Sequence, residues 1–382
     1  MYEGKDGSNG TVVGNSAGQY LQGIGATYIG SEAGRFATGS YNTFVGGSAG
    51  RGPNSAPYGS GGLNTAMGYQ ALDAFTTGTQ NVAIGYQAAT DLTTGYYSAY
   101  IGMQAGQNVT TGHTHVFIGF QAGNDVSDTN QQIAIGYRAG YANGGAMDVF
   151  IGYEAGLNVT AGDNIGIGRR AGSGYHGVGQ TEFQENTTNR FNISIGTYAG
   201  MRAIGTSNVN IGHNAGYNAT GSNNTFVGYY AGKGGETSAP FSSGQLNTFV
   251  GKDAGKEFTT GGYNNALGAE ALDALTTGGE NVAMGVGALG SITTQNSNVA
   301  IGGYAGTSIA GSDAIDNVII GNYAGTGGSG NLKRCIAIGK TALNSTGTAD
   351  VLGAIAIGHD ALTAANNTNT DYSIAIGYTA LT

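Results

Sequence analysis

A five-residue phrase recurs along nearly the whole chain: an aliphatic residue, Gly, two variable residues and Ala. Its twenty-one copies run from Val13–Ala17 to Ile376–Ala380, and most of them are 16 or 17 residues apart. A fixed short period is typical of solenoids, in which each repeat forms one rung and stacks on its neighbours. The repeat therefore predicts an all-β parallel β-solenoid of about 21 rungs.

Each copy of the phrase predicts one short strand before the Gly and one tight corner after it. The alternation of a strand places Val82 and Ile84 on one face and Ala83 on the other. Because β-branched residues occupy the Val82 position in nineteen copies, we expect the two aliphatic positions to form the core. Gly85 allows a backbone angle or a close approach that a Cβ would forbid, and Ala88 packs where space is tight.

Two further positions of the rung carry a pattern. The fourth position before the Gly is Asn in twelve copies, including Asn81, and stacked rungs would arrange these amides in a ladder, a structural role. The second position before the Gly is small or aromatic, as in Phe44 and Phe117. With the aliphatic pair inside, these Phe residues would form an outward apolar stripe, which a soluble monomer seldom leaves bare. We therefore expect another copy of the chain to cover that face.

Composition excludes several classes of partner. The net charge of −9 argues against nucleic acid, whose phosphates need a basic surface. No stretch approaches twenty apolar residues, which argues against membrane insertion, and residues 1–20 lack the pattern of a secretory signal. We expect the protein either to leave its cell by another route, as a virus particle does, or to be a piece of a longer chain. The single Cys335 excludes an intrachain disulfide framework.

The spacing of the copies indicates a segmental duplication. Glycines of the phrase between Gly46 and Gly119 recur between Gly228 and Gly302 at an offset of 182 or 183, and each series contains one long insert. The last steps widen to 18 or 19 residues, which predicts longer loops there. The predicted organisation is a first solenoid block at 1–172 with an insert at 50–64, an inserted loop at 173–191, a duplicate block at 192–302 with an insert at 232–247, and wider rungs at 303–382.

The inserts are the candidate contact regions, because insertions in solenoids map to surface loops that often bind. A passive surface bulge remains an equal alternative. The candidate binding residues, all from these inserts, are Tyr58, Phe241, Tyr175, His176, Phe183 and Arg190.

No catalytic motif is present in the sequence, and the prediction is that the chain is not an enzyme. A glycan-degrading site shared between subunits is the alternative. His113 and His115 could bind a structural transition metal if they point the same way near a threefold axis, although a polar turn is the simpler interpretation. Asp313 and Asp316 are a weaker Ca²⁺ candidate. Tyr residues that follow the phrase Gly either stack on each other or bind sugars. No other cofactor is expected.

The strand-and-corner phrase resembles the head repeats of trimeric autotransporter adhesins of the YadA type, and equally the repeats of phage and virus tail-fibre proteins. The clearest matches are Asn81–Ala88, Asn281–Ala288 and Asn298–Ala305. The resemblance implies a left-handed parallel β-roll that assembles side by side as a homotrimer. The rungs here are longer than those of the adhesin heads, and no heptads of a coiled-coil stalk are visible. These departures favour a virus fibre.

The predicted function is therefore a structural fibre that attaches a virus to a host-surface glycan or protein receptor. The leading prediction is a phage tail fibre. The alternative is a bacterial surface adhesin or extracellular filament subunit. Open solenoid ends expose unpaired strands, so other fibre or baseplate proteins are the expected partners there. The expected location is the virion, or the cell surface and extracellular space.

Overall fold

The computed structural model describes residues 9–126, 129–174, 190–235, 242–307, 309, 311, 313–326, 331–344, 350–363 and 370–382. The chain divides into two compact units, Met1–Phe191 and Asn192–Thr382. Short strands and turns make up the described part, and none of its segments forms a helix of the length and apolarity that a membrane crossing requires.

The described part of the first unit contains ten strands of three residues each. They are β1 (Thr11–Val13), β2 (Thr27–Ile29), β3 (Thr43–Val45), β4 (Thr65–Met67), β5 (Val82–Ile84), β6 (Ala99–Ile101), β7 (Val116–Ile118), β8 (Ile133–Ile135), β9 (Val149–Ile151) and β10 (Ile165–Ile167). Each strand pairs in parallel with the next one along the chain, and Ala83 for example lies over Tyr100. Each repeat therefore adds one rung, with one strand in this sheet, as the sequence predicts.

The second unit repeats this arrangement. Its main ladder contains β11 (Ile193–Ile195), β12 (Val209–Ile211), β13 (Thr225–Val227), β14 (Thr248–Val250), β15 (Asn265–Leu267), β16 (Val282–Met284), β17 (Val299–Ile301), β18 (Val318–Ile320), β20 (Ile336–Ile338), β22 (Ile355–Ile357) and β23 (Ile374–Ile376). In the wider rungs β19 (Leu332–Lys333) and β21 (Val351–Leu352) pair as a second, short parallel ladder. The predicted parallel β-solenoid is confirmed.

The corner after each strand needs its Gly for two reasons. Gly85 has a φ of +138°, and a Cβ on it would lie 2.4 Å from the carbonyl oxygen of Gly102 in the next rung. The N–H of Gly85 donates to the carbonyl of Met67 in the previous rung at 2.8 Å. Ala88 is completely buried just beyond this corner. Both roles predicted for the Gly, an unusual backbone angle and a close approach, are therefore confirmed.

The side chains of each strand face the opposite way to the prediction. Ala83 is fully buried, while Val82 is half-buried and Ile84 is 36% exposed. Phe44 and Phe117, expected on the outside, are completely buried. The middle residue of each strand therefore points into the core and the aliphatic pair points outward. The expectation of an aliphatic core and an outward Phe stripe is wrong.

The reason is a match of side-chain volume within each rung. The middle strand residue packs against the residue six positions later, which follows the phrase Ala. A Cβ on Gly123 would lie 2.3 Å from the Phe117 ring, so the aromatic ring fills the space that this Gly leaves. Where the middle residue is Ala66, the partner position holds the fully buried Leu72. In these rungs a large residue at one position is matched by a small residue at the other, as close packing favours, although both are small in the rung of Ala134 and Gly140.

The Asn ladder is confirmed. The Oδ1 atom of Asn64 accepts the backbone N–H of Asn81 at 3.0 Å, and the Nδ2 of Asn81 donates to the carbonyl of Gly95 at 2.8 Å. Each buried amide therefore satisfies two backbone groups of the following rung. In the second unit the same bond, from a backbone N–H to the Oδ1 of the previous ladder Asn, recurs in every rung of a continuous series. The series begins with the bond from Asn208 to Asn192 and ends with the bond from Cys335 to Asn317.

Asp148 occupies a ladder position, and its carboxylate is buried. Its Oδ1 accepts the N–H of Asn164 at 2.8 Å, and its Oδ2 accepts from the Nδ2 of Asn143 at 3.1 Å. Burial raises the pKa of Asp148 to about 6, and these hydrogen bonds only partly offset that effect. The folded state therefore holds the proton more tightly than the unfolded state. Stability from this group is fully present below the unfolded pKa near 4 and is lost as pH rises through 6.

We expect Asp148→Asn to raise the free energy of unfolding by about 2 kcal/mol at pH 8. Removing the buried charge contributes about 3 kcal/mol, since one pKa unit corresponds to about 1.4 kcal/mol. The lost bond from Asn143 offsets about 1 kcal/mol. Denaturant unfolding at pH 8 and pH 4 measures the effect, with the exposed Asp125→Asn as the control. An equal gain at both pH values, or a loss at pH 8, would contradict the assignment.

Candidate functional site

One insert residue of the first unit has a clear structural role. The ring of Tyr58 lies 5.0 Å from that of Tyr20 and 5.8 Å from that of Phe36, measured between centroids. Gly59 forms a parallel bridge with Ala37. This cluster anchors the insert to the solenoid. Sequence reasoning missed Tyr20 and Phe36, and their spacing from the phrase offers no signal that they would meet the insert.

The other candidate contact residues are less informative. Tyr175, His176, Phe183 and Phe241 lie outside the described residues. Arg190 is exposed, and its guanidinium carbon lies 6.0 Å from the centre of the Phe191 ring. That the inserts form a binding region therefore remains a prediction.

The two histidines have different surroundings. His113 stacks on Tyr96 at a centroid distance of 4.5 Å and is half-buried, whereas His115 is completely buried and lies 4.7 Å from the Phe117 ring. Burial lowers the pKa of His115 to about 4, so the imidazole is neutral at pH 7. Thr114 between them has a φ of +61°, so the segment is not extended. An imidazole inside the chain does not fit a metal shared on a threefold axis.

Asp313 and Asp316 pair with cations of the protein itself. The Nζ of Lys333 lies 2.8 Å from Asp313, and the Nε of Arg334 lies 3.7 Å from Asp316. Among the residues that the structure describes, no group of three or more His, Cys, Asp and Glu side chains is arranged to hold a metal ion.

Buried carboxylates in the first unit join neighbouring rungs. Asp73 accepts from Arg51 at 2.8 Å, and Glu154 accepts from Arg170 at 2.6 Å. Burial raises the pKa of Asp73 to about 6 despite the neighbouring charge of Arg51. These pairs have a structural explanation in the stacking of rungs, and in the described contacts the Ser173 hydroxyl donates to the backbone carbonyl of Glu154 rather than to its carboxylate.

Exposed aromatic rings after the phrase Gly stack on each other from rung to rung. Tyr69 and Tyr86 lie 5.7 Å apart, and Tyr137 and Tyr153 lie 5.0 Å apart with an interplanar angle of 6°. A sugar stacks on the face of a ring, and in each of these pairs one face of each ring lies against its neighbour. The geometry therefore supports stabilisation of the corner rather than sugar binding at this column.

The outward strand residues form a continuous apolar surface beside these rings. We define the aliphatic face of the first unit as the third residues of β4 to β9. Met67 is 44% exposed and Ile84 36% exposed, and the others are half-buried. The members of the face are Met67, Ile84, Ile101, Ile118, Ile135 and Ile151. The second unit has the same feature, with Leu267 at 50% and Met284 at 40%. The apolar strip therefore recurs in both units.

Neither the scan against protein-family models nor the search of curated proteins finds a match to this chain.

Proposed function

We propose that this chain is a structural fibre subunit, specifically of a phage tail fibre, that attaches the virus to a glycan on the host surface. The observation that carries the proposal is the aliphatic face, which repeats once per rung. A fibre needs its chains to associate along their length, and a periodic apolar strip provides that association. The small share of charged residues, 10%, suits a passive shaft rather than an enzyme.

The aliphatic face supports packing against further copies of the same chain. Parallel rungs repeat at about 4.8 Å, and a second copy presents side chains at the same interval. Burial of apolar surface contributes about 25 cal/mol per Å², so a contact continued over many rungs gains strength with each rung. Side-by-side association of three copies around one axis would cover one such face on each chain.

We expect the double substitution Ile101→Glu and Ile118→Glu to convert a three-chain assembly into monomers. Both side chains lie on the outward face and are half-buried, so a charge there costs the single chain less than it costs an apolar interface. Mass in solution, measured by ultracentrifugation, reports the change. Thr77→Glu with Thr94→Glu is the matched control, because both threonines are exposed at the turns. A monomeric wild-type protein, or a double variant that keeps its mass, would overturn the proposed assembly.

Attachment itself is tested by adsorption of the labelled assembly to bacterial cells with and without their surface polysaccharide. We expect adsorption to fall when the polysaccharide is removed. Adsorption that does not depend on surface glycan would contradict the proposed receptor class. A gene position among capsid and baseplate genes would support the virus fibre, whereas a secretion signal in the gene would support the alternative of a bacterial adhesin or filament subunit.

A further inference from the structure

The second unit contains an open groove of about 540 Å³ at the turns that precede β14 to β17. We call it the turn groove. The groove runs across successive rungs, so each rung contributes residues from equivalent positions of the repeat to its lining. Its lining residues are Ser243, Gly244, Gln245, Thr260, Gly262, Tyr263, Thr277, Gly279, Glu280 and Asn296.

Two of the lining positions are glycine, which leaves this part of the turn surface without side chains. At the matching positions of the first unit, 183 residues earlier, Gly262 is replaced by Thr79 and Gly279 by Tyr96. The Tyr96 ring stacks on His113 at a centroid distance of 4.5 Å, and so fills the surface that is open in the second unit. The two units therefore share a scaffold but differ at this turn, and the difference lies in side chains rather than in the path of the repeat.

The groove presents hydroxyl and amide groups that are free to bind. Within the described residues, the side chains of Thr260, Thr277 and Gln245 have no hydrogen-bond partner, and all three are exposed. Asn296 accepts the N–H of Gly279 through Oδ1 at 2.7 Å, which fixes the amide at the groove. Because equivalent groups repeat once per rung, the donors and acceptors form a row along the groove.

One aromatic ring and one charge complete the lining. Tyr263 is 62% exposed, and no other ring contacts it among the described residues, unlike the stacked Tyr column beside the aliphatic face. Its face can therefore pack against the C–H groups of a sugar ring. Glu280, the only ionisable acid or base of the lining besides the Tyr263 phenol, accepts from Ser297 at 3.3 Å. A carboxylate accepts hydrogen bonds from sugar hydroxyls and repels acidic sugars.

We propose that the turn groove binds an uncharged oligosaccharide, with Tyr263 packing on one sugar ring and the Thr, Gln, Asn and Glu side chains bonding its hydroxyls. The inference rests on the proposed attachment to a glycan and names the place and the class of sugar. An extended glycan suits the groove because the lining groups repeat once per rung along its length. The Gln245 end of the groove lies within the insert at 232–247.

The test measures binding of the purified protein to three neutral probes, dextran, mannan and the β-1,4-linked tetramer of N-acetylglucosamine, and to the acidic polygalacturonate. We expect the wild type to bind at least one neutral probe and to ignore polygalacturonate. Tyr263→Ala should weaken that binding at least tenfold. Gly279→Tyr, which places in the groove the residue that the first unit carries, should weaken it as strongly. Failure of every neutral probe, or preference for polygalacturonate, overturns the proposal.

Matched controls separate the groove from the rest of the molecule. Tyr86→Ala and Tyr97→Ala each remove an exposed ring outside the groove (47% and 58% exposed, against 62% for Tyr263), so both should leave binding within about twofold of the wild type. Thermal unfolding of each variant checks that the fold persists. Unchanged binding in both groove variants overturns the assignment. If cells still adsorb those variants normally, attachment stands without the groove, and if probes bind the groove while no cell is adsorbed, the groove stands without attachment.

Discussion

Replacing Phe117 with Ala should lower the free energy of unfolding of the first unit by about 3–5 kcal/mol, the usual range for removing a buried aromatic ring. The ring is completely buried between neighbouring rungs. Because the space opposite belongs to Gly123, which has no side chain, nothing in the same rung can collapse into the cavity. Denaturant unfolding measures the loss, with Thr94→Ala at an exposed turn as the control. A loss below about 1 kcal/mol would mean that the ring is not part of the core.

The volume match within a rung predicts a rescue. Gly123→Leu alone should also destabilise, because its Cβ would lie 2.3 Å from the Phe117 ring. The double variant with Phe117→Ala reproduces the pairing of Ala66 with Leu72, and Leu72 already adopts a φ of +55°, close to the +56° of Gly123. We expect the loss of unfolding free energy in the double variant to be smaller than the sum of the two single losses by at least about 1 kcal/mol. Strict additivity would contradict the pairing.

Replacing Gly85 with Ala should cost about 2–6 kcal/mol. A side chain at a φ of +138° is strained by about 1–3 kcal/mol. The added methyl would also lie 2.4 Å from the Gly102 carbonyl oxygen, and the backbone shift this requires costs a further 1–3 kcal/mol or so. Because rungs contact only their neighbours, the loss should be concentrated near the substituted rung, which amide hydrogen exchange would resolve.

Gly144→Ala is the matched control for this prediction. A Cβ on Gly144 would meet atoms of Thr160 at 3.4–3.5 Å, which is ordinary contact, and the residue is outside the left-handed region. Its substitution should change the free energy of unfolding by less than about 1 kcal/mol. Similar losses at Gly85 and Gly144 would show that the corner has no special demand for glycine.

Much of the fold could be predicted because the decisive residues recur in register. The phrase Gly could be assigned to a close approach, and the Asn81 position to an amide ladder, from residue type and repetition alone. Both assignments depend on the chemistry of one side chain and on the stacking of rungs. Neither depends on which way the strand faces, and the structure confirms both.

The direction of the strand could not be predicted from alternation. The alternation of a strand indicates that Val82 and Ile84 share a face, but it does not indicate whether that face is buried in the core. β-Branched residues suit an exposed strand as well as a buried one, so their frequency misled the assignment. A better signal was present: aromatic residues such as Phe117 occur with Gly six positions later, and Ala66 occurs with Leu72. Such compensation of size is expected of two positions that share one core.

The turn groove likewise depends on the tertiary structure. Gly262 and Gly279 look in the sequence like any other glycines of the repeat. Only the stacking of rungs places them in a column between Thr260, Tyr263 and Thr277, where the missing side chains leave a groove.

The sequence by itself determined the repeat, the corner and the ladder, because each follows from residues that recur at one interval. The tertiary structure alone decided which face of each strand is buried, and so moved the apolar surface from the Phe positions to the aliphatic ones. The physical reason is that burial depends on how much volume a closed rung can hold. That volume is shared between strand and corner residues, which meet only when the rung closes.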